Sequence, residues 1–391
     1  MNPRDPAARL CYGTNVHPAE DLESLEAVLD GPAAAVRARF APGGTLGLGL
    51  WLPARVAAEL AGSEKAAAEV RARLRDRGLR VETVNAFPAG GFHAAVVKEA
   101  VYHPDWSDPV RLAYTRDVAR AVTRLVEPGT TCVVSTLPGT WKAWRDGPAE
   151  RSVLARGAAA AAATMADLEA ETSVRVVLAP EPEPGCTLET IEEAADFWNR
   201  DLPAALGRDA DRLLPHLGLT ADLCHLAVTE GDPTDALARL RQAGVPVVKV
   251  QVSAALAVDD PAENPATVEA LRAFDEPRWL HQVGARGTSG ARRRALDLPE
   301  VFGDLPSWLP CREWRVHFHA PLHRDEVAGV PTTRDATAAA LRSLAARPGP
   351  LPALEVETYT WSAVPGFSGS DGDLAAAIAA ELEFARESLE G

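Results

Sequence analysis

The chain's 391 residues are 47% hydrophobic and 24% charged, the balance of a soluble globular protein with length for one large α/β domain or two modest ones. A formal net charge of −15 argues against nucleic acid or an anionic membrane surface as partner, because both attract basic patches. A neutral or metal-neutralised small polar metabolite suits that charge better.

Five cysteines, scattered and never in CxxC spacing, argue against a disulfide framework or a zinc–thiolate site and for a reducing compartment. The N-terminal MNPRDPAARLCYG lacks the apolar core of a signal peptide. No apolar run approaches the roughly 20 residues needed to span a bilayer. A cytoplasmic protein without membrane insertion is expected.

Strand-like and helix-like segments alternate along the chain. RLCYGTNVHP predicts a first strand, followed by a helix over 19–40. TLGLGLWLP predicts the second strand, and the next 25 residues one long amphipathic helix ended by Gly78. LRVETVNAFP, a helix over 108–126, TTCVVSTLPG and an Ala-rich helix around 154–171 continue the rhythm. VRVVLAPEPEP, HLGLTADLCH and VPVVKVQVSAAL are strands five to seven, with helices over 187–202 and 232–244 between them. REWRVHFHAPL and PALEVETYTW add two more, separated by a helix over 332–349, and a helix over 371–389 closes the chain. The region from about 252 to 312, with the basic run ARGTSGARRR, reads as loops.

Alternating strands and helices predict a parallel sheet. Nine candidate strands point to a single (β/α)8 TIM barrel over residues 1–391, with an extra strand or hairpin late in the chain. A doubly wound open sheet is the alternative. No GxGxxG follows the first strand and no GxxxxGK[ST] occurs.

Chemistry in such a barrel sits at the C-terminal ends of the strands, and there the polar residues concentrate. Strand one ends in Asn15 and His17, strand three in Asn85, strand five in Glu181 and Glu183, strand six in Asp222 and His225. Strand seven offers Lys249, Gln251 and Ser253, and the last two segments offer His317 with His319 and Glu355 with Glu357. Any one of these has a structural reading as a cap, a turn or a satisfied core residue. Glu, Asp, His and Glu at successive strand ends nevertheless form the oxygen and nitrogen ligand set that Mn, Co, Zn or Mg accepts. The loop NAFPAGGFHAAVVKE, with adjacent glycines Gly90 and Gly91, is expected to fold over the pocket and bring His93 or Lys98 near the metabolite. Phe87, Phe92, Trp106, Tyr359 and Trp361 are candidates to pack on the apolar face of a ring.

CYGTNVHP, NAFPAGGFHAAVVKEAVYHPDW, EPEPGCTLET, DLCH, VQVSAAL, EPRWLHQV, VHFHAPL and LEVETYTW resemble the metabolite traffic protein EboE family, within the xylose isomerase-like barrel superfamily. That resemblance implies a divalent cation held by Glu183 or Glu181, by Asp222 and by Glu357, with His225 beside them on substrate or on a second metal. A strand-seven His is usual in the superfamily; here Gln251 stands in its place, so either Gln251 itself is a ligand of a hard cation or His319 or His281 replaces it. The implied activity is isomerisation or epimerisation of a small polyol, sugar or cyclitol intermediate, with Glu183, Glu357 and His225 as catalytic residues. Glu181, His17, Asn85, His93, Lys98, Lys249, His281, His317 and Trp361 are the expected substrate contacts. A non-catalytic metabolite carrier is the competing reading, and metal content separates the two.

Overall fold

A computed structural model describes residues 10–287, 290–367 and 369–391. The first nine residues, read above for targeting, and Thr288 and Ser289 of the basic run lie outside them. Seven strands come first in the chain: β1 (Leu10–Gly13), β2 (Leu46–Trp51), β3 (Leu79–Asn85), β4 (Thr131–Thr136), β5 (Arg175–Pro180), β6 (Leu219–Asp222) and β7 (Val247–Val252). Then β8 (Leu256–Asp259), β9 (Val283–Gly287), β10 (Arg292–Ala295) and β11 (Cys311–Val316) form a separate four-stranded sheet in the order β10-β9-β11-β8. Its pairings are antiparallel. After the short hairpin of β12 (Glu326–Val327) and β13 (Val330–Pro331), β14 (Ala353–Val356) returns to the first sheet.

That first sheet is parallel, in the order β5-β4-β3-β2-β1-β14-β7-β6. It nearly closes on itself, for Leu178 of β5 bridges Leu217 just before β6 and accepts a hydrogen bond from the Gly218 N–H at 3.0 Å. Eight parallel strands with helices around them make the (β/α) barrel expected from the alternation. The eighth predicted strand, REWRVHFHAPL, is the extra one: it is β11, which stands outside the barrel in the antiparallel sheet. A strand pattern gives no sign of which sheet the strand joins.

Two expectations need correction. The region from about 252 to 312 is not loop throughout: it holds β8, β9, β10 and three short helices (Pro265–Leu271, Leu298–Gly303, Leu305–Trp308), and the run ARGTSGARRR supplies Ala285–Gly287 and Arg292–Arg294 to strands in which Arg292 pairs with Arg286. The long helix after β2 is two helices, Ala54–Gly62 and Glu64–Asp76. Ser63 between them is extended, and its side chain caps the second helix at the Ala66 N–H, satisfying one of the donors a helix start leaves free.

Apolar residues of the barrel strands and their covering helices form one large core. A second core, including Trp308, Trp314, Phe318 and Trp361, lies on the antiparallel sheet. Glu381 of the last helix (Asp371–Glu390) is fully buried. It accepts hydrogen bonds from the Leu322 N–H (3.0 Å), Thr358 Oγ1 (2.7 Å) and Trp361 Nε1 (3.3 Å). Burial outweighs them and pushes its carboxyl up to about 7. The folded chain therefore holds this proton more tightly than the unfolded chain. The associated stability is complete below the unfolded value and is lost as pH rises towards 7. Glu381→Gln should flatten that loss and leave the variant more stable than wild type above pH 7, by up to about 3 kcal/mol. Thermal melts at pH 5 and pH 8 measure it; parallel pH profiles for the two proteins would refute it.

Candidate metal centre at the barrel rim

Beneath the rim, inside the barrel, lies a buried ionic layer. Lys249 of β7 and Glu355 of β14, both fully buried, pair at 2.9 Å. Asn85 Nδ2 donates to Glu355 at 2.6 Å and the Thr83 hydroxyl donates to its other oxygen. Asn85 Oδ1 accepts from Lys249 Nζ and from the Ser135 hydroxyl, each at 2.6 Å. Gly49 on β2 has no side chain because there is no room for one: a Cβ there would lie 2.0 Å from Glu355 Oε2.

One strand period above, towards the C-terminal ends, the groups change from paired to unpaired. Asp222 ends β6 and caps the helix Leu223–Glu230, its Oδ1 accepting from the His225 N–H (2.9 Å) and the Ser253 hydroxyl (2.8 Å). The D-x-x-H spacing is thus the N-cap to N3 spacing of a helix start. The other oxygen, Asp222 Oδ2, is buried with no hydrogen-bond partner among the described residues, as are His319 Nε2, Gln251 Oε1 and Asn15 Oδ1. Glu181, Asp222 and Glu357 each present a carboxylate oxygen within 4.8 Å of the others. Asn15 Nδ2 holds Glu357 at 2.7 Å.

Carboxylates this close, with Asp222 and Glu357 buried and Glu181 half-buried, cannot all ionise without a counter-charge. Burial raises Glu181 and Glu357 well above the ordinary carboxylate range, and the mutual repulsion with Asp222 adds to it. Burial pushes Asp222 the same way, but His225, His319 and the two hydrogen bonds overcome it and hold Asp222 low. Unpartnered buried donor atoms on a converging oxygen and nitrogen set fit a divalent cation.

Glu183 stands apart from this trio. The bend through Pro182 turns it to the Tyr102 hydroxyl, which donates to Glu183 Oε1 at 2.9 Å, and burial raises its carboxyl to about 7. Of the two strand-five glutamates it is Glu181 whose carboxylate joins Asp222 and Glu357. His317 and His319 continue from β11 and reach the same cavity from outside the barrel, with His319 Nε2 3.7 Å from Asp222 Oδ2. Burial lowers both rings' basicity.

A cavity of about 60 Å³ opens over these groups, lined among others by Asn85, Lys98, Glu181, Glu183, His225, His317, His319 and Glu357. Phe87, Pro88, Phe92, Lys98 and Tyr102 of the segment after β3 also line it, so that segment covers the pocket. Lys98 is committed to Asp297 at 2.6 Å.

Other expected substrate contacts lie behind the wall. Lys249 is taken up by Glu355. His281 is buried between the His317 carbonyl (2.9 Å) and Glu276 (3.0 Å). His17 is buried beside Tyr12, and His93 donates to the Asn15 carbonyl at 2.8 Å. Trp361 points the other way, into the second core and onto Glu381, because the chain turns into a short 3-10 helix (Tyr359–Ala363) after Glu357.

Tyr102 and Gln282 were missed by strand-end reasoning. Gln282 Nε2 donates to Tyr102 (3.0 Å) and to the Pro184 carbonyl (3.1 Å), which ties the two sheets together at the site. Both sit in segments that read as loop, where no strand period marks a face.

No match is found among curated proteins. Similar solved structures include a xylose isomerase-like TIM barrel protein from Mycobacterium smegmatis in complex with magnesium (14% identity, 97% of each chain covered, TM-score 0.48). An IolI protein with a bound zinc atom matches at 12% identity over 98% of each chain, with a TM-score of 0.47. A D-psicose 3-epimerase matches at 13% identity over 98% of this chain and 97% of that one, with a TM-score of 0.44. The profile of the family described as xylose isomerase-like TIM barrel matches residues 51–276, more than half of the chain and five of the eight barrel strands from β3 to β7 complete. The chain belongs to the xylose isomerase-like TIM barrel family.

Proposed function

We propose that the protein is a divalent-metal-dependent isomerase or epimerase of a small polyol, a sugar or cyclitol intermediate of a metabolite biosynthesis and traffic pathway. The observation that carries this reading is Asp222 Oδ2, buried without a partner among Glu181 and Glu357. Glu181, Asp222 and Glu357 would hold the cation, with Gln251 and His319 at hand. When bound it supplies Lewis-acid polarisation of a carbonyl and a hold on the neighbouring hydroxyl.

Proton movement falls to groups outside that ligand set. Glu183, raised by burial to about 7, is poised to take a proton from the carbon beside the carbonyl and to give one back near neutral pH. Tyr102 fixes one oxygen of Glu183 and leaves the other for substrate. His225, which borders the same cavity, stands as the second group, while Glu357, oriented by Asn15, stays with the ligands. Phe87, Phe92 and Tyr359 line the cavity and provide an apolar wall for a ring.

Glu183→Gln should cut turnover by about 10²- to 10⁴-fold, the contribution of one general acid–base group, while metal content stays at the wild-type level. Exchange of substrate C–H for deuterium in heavy water, across a panel of ketoses and cyclitol ketones, is the measurement. Undiminished exchange in the variant would remove Glu183 from the chemistry. A wild-type protein prepared without chelators that carries no cation, yet binds one of these metabolites, would be the carrier instead.

A further inference from the structure

A larger cavity, of about 230 Å³, lies outside the barrel where β9 and β10 meet the end of the helix Leu223–Glu230. Five arginines line it: Arg286, Arg292, Arg293, Arg294 and Arg315. Only two carboxylates, Glu189 and Glu313, face them across the same lining among the described residues. In a chain with a formal net charge of −15, so positive a wall is out of keeping with the rest.

The surrounding ion pairs do not cancel it. Glu189 is shared by Arg294 and by Lys142, the latter at 2.7 Å. Glu313 is shared by Arg286 at 3.3 Å and Arg315 at 3.0 Å. Glu230, buried behind the wall, takes Arg292 at 2.8 Å and Arg239 at 2.9 Å. Each of these glutamates serves two cations, so they cannot use up the N–H groups of the arginines, five on every guanidinium. Their effect is to orient the guanidinium planes. Arg293 is committed elsewhere, to the Ser307 carbonyl at 2.7 Å and to the face of Trp308.

The remaining wall is largely apolar, with Ala227, Val228, Val283, Ala285, Ala295 and Leu296. Two glycines fix its shape. Gly284 of β9 has no room for a Cβ against the Val228 carbonyl, so the strand lies directly on the helix. Gly231, which ends that helix at a φ of +89°, makes way for the Arg286 guanidinium; a Cβ there would stand 2.6 Å from its Nη2. A cavity whose walls are held in this way needs little ordering when a ligand enters. Apolar surroundings also strengthen what a guanidinium gains from an anion.

We infer that this cavity binds a small organic anion: one phosphate or carboxylate group, which the guanidinium fork matches with two parallel hydrogen bonds, on an apolar body the size of a ring. Arg286 and Arg294 are its cationic contacts. The inference does not rest on the proposed isomerase reading. Gln282 lines this cavity and also the one over the carboxylates, so the occupant lies against the wall that the two share.

The test is isothermal titration of the full chain, stripped with chelator so that no cation can hold the anion, with phenyl phosphate, benzoate and benzyl alcohol. One equivalent of phenyl phosphate or of benzoate should bind, the tighter of the two naming the anionic group, and benzyl alcohol should not. Arg294→Gln and Arg286→Gln should each weaken binding by about tenfold or more, the worth of a hydrogen bond to a charged group. The Arg294 side chain is 58% exposed, so its replacement spares the fold, and thermal melts check both variants. Failure of either anion to saturate the protein would overturn the inference, as would affinity unchanged in both variants; neither result touches the isomerase reading. Binding that appears only once metal is restored would place the anion at the carboxylate position and overturn it too. Benzyl alcohol bound as tightly as benzoate would leave an apolar pocket with no use for its arginines, and the inference falls.

Discussion

Asp222→Asn should fold as the wild type does and bind its cation at least about tenfold more weakly, the lower end of what lost support at a metal site costs. The reason lies in the division of labour between the two oxygens. Oδ1 is occupied by the His225 N–H and the Ser253 hydroxyl; the asparagine oxygen can take over both. The amide group would then stand where Oδ2 is now, offering a donor towards His319 Nε2, which lies 3.7 Å from Oδ2 and lacks a partner. The substitution gives up the support that the surroundings lend the Asp222 charge but fills an empty hydrogen bond, so the metal-free protein should stay folded. Isothermal titration with Mn(II) or Zn(II), paired with a thermal melt of the stripped protein, reads both halves. Full metal content in the folded variant would end the metalloenzyme reading.

The opposite pattern is expected one layer down. Lys249→Met should destabilise the fold by about 3–5 kcal/mol, because it leaves Glu355 charged and unpaired in the barrel interior. Neither side chain of the pair is exposed, and Gly49 packs directly against the Glu355 carboxylate, so no water can enter to take the place of the ammonium. Replacing both partners, as in Lys249→Met with Glu355→Leu, should recover a large part of the loss, since two apolar groups need no counter-charge. Denaturant unfolding of the three proteins gives the coupling. Equal stability of the single and double variants would show that Thr83 and Asn85 alone satisfy Glu355.

Much of this site was legible because a barrel puts its chemistry at strand ends. Asp222 and His225 could be found from a helix-start spacing following an apolar run, and Glu355 with Glu357 from strand parity. Parity could not separate Glu181 from Glu183, which share it; the bend at Pro182 and the Tyr102 hydroxyl send them to different partners. In the sequence His317 and His319 read as residues of a barrel strand. They do reach the cavity, but from a sheet that the pattern could not distinguish from the barrel, because alternation reports a buried face and not the neighbour across it. Trp361 lies four residues past Glu357, beyond the point where the backbone turns, so strand-end position does not govern where it points. Gln282 and Tyr102 carried no period at all, and only the folded chain shows them joining the two sheets.

The position of β14 between β1 and β7 bears on how the chain is made. Leu10 pairs with Leu354 and Val250 pairs with Leu354 from the other side, so the barrel's seam is filled by its last-synthesised strand. Until that strand leaves the ribosome, β1 and β7 are open edges, ready to pair with the wrong chain. Lys249 waits over the same interval for the carboxylate that neutralises it. Contacts spanning nearly the whole chain also slow folding, through the entropy of closing so long a loop. Nascent chains arrested before residue 353 should therefore be the ones that chaperones hold.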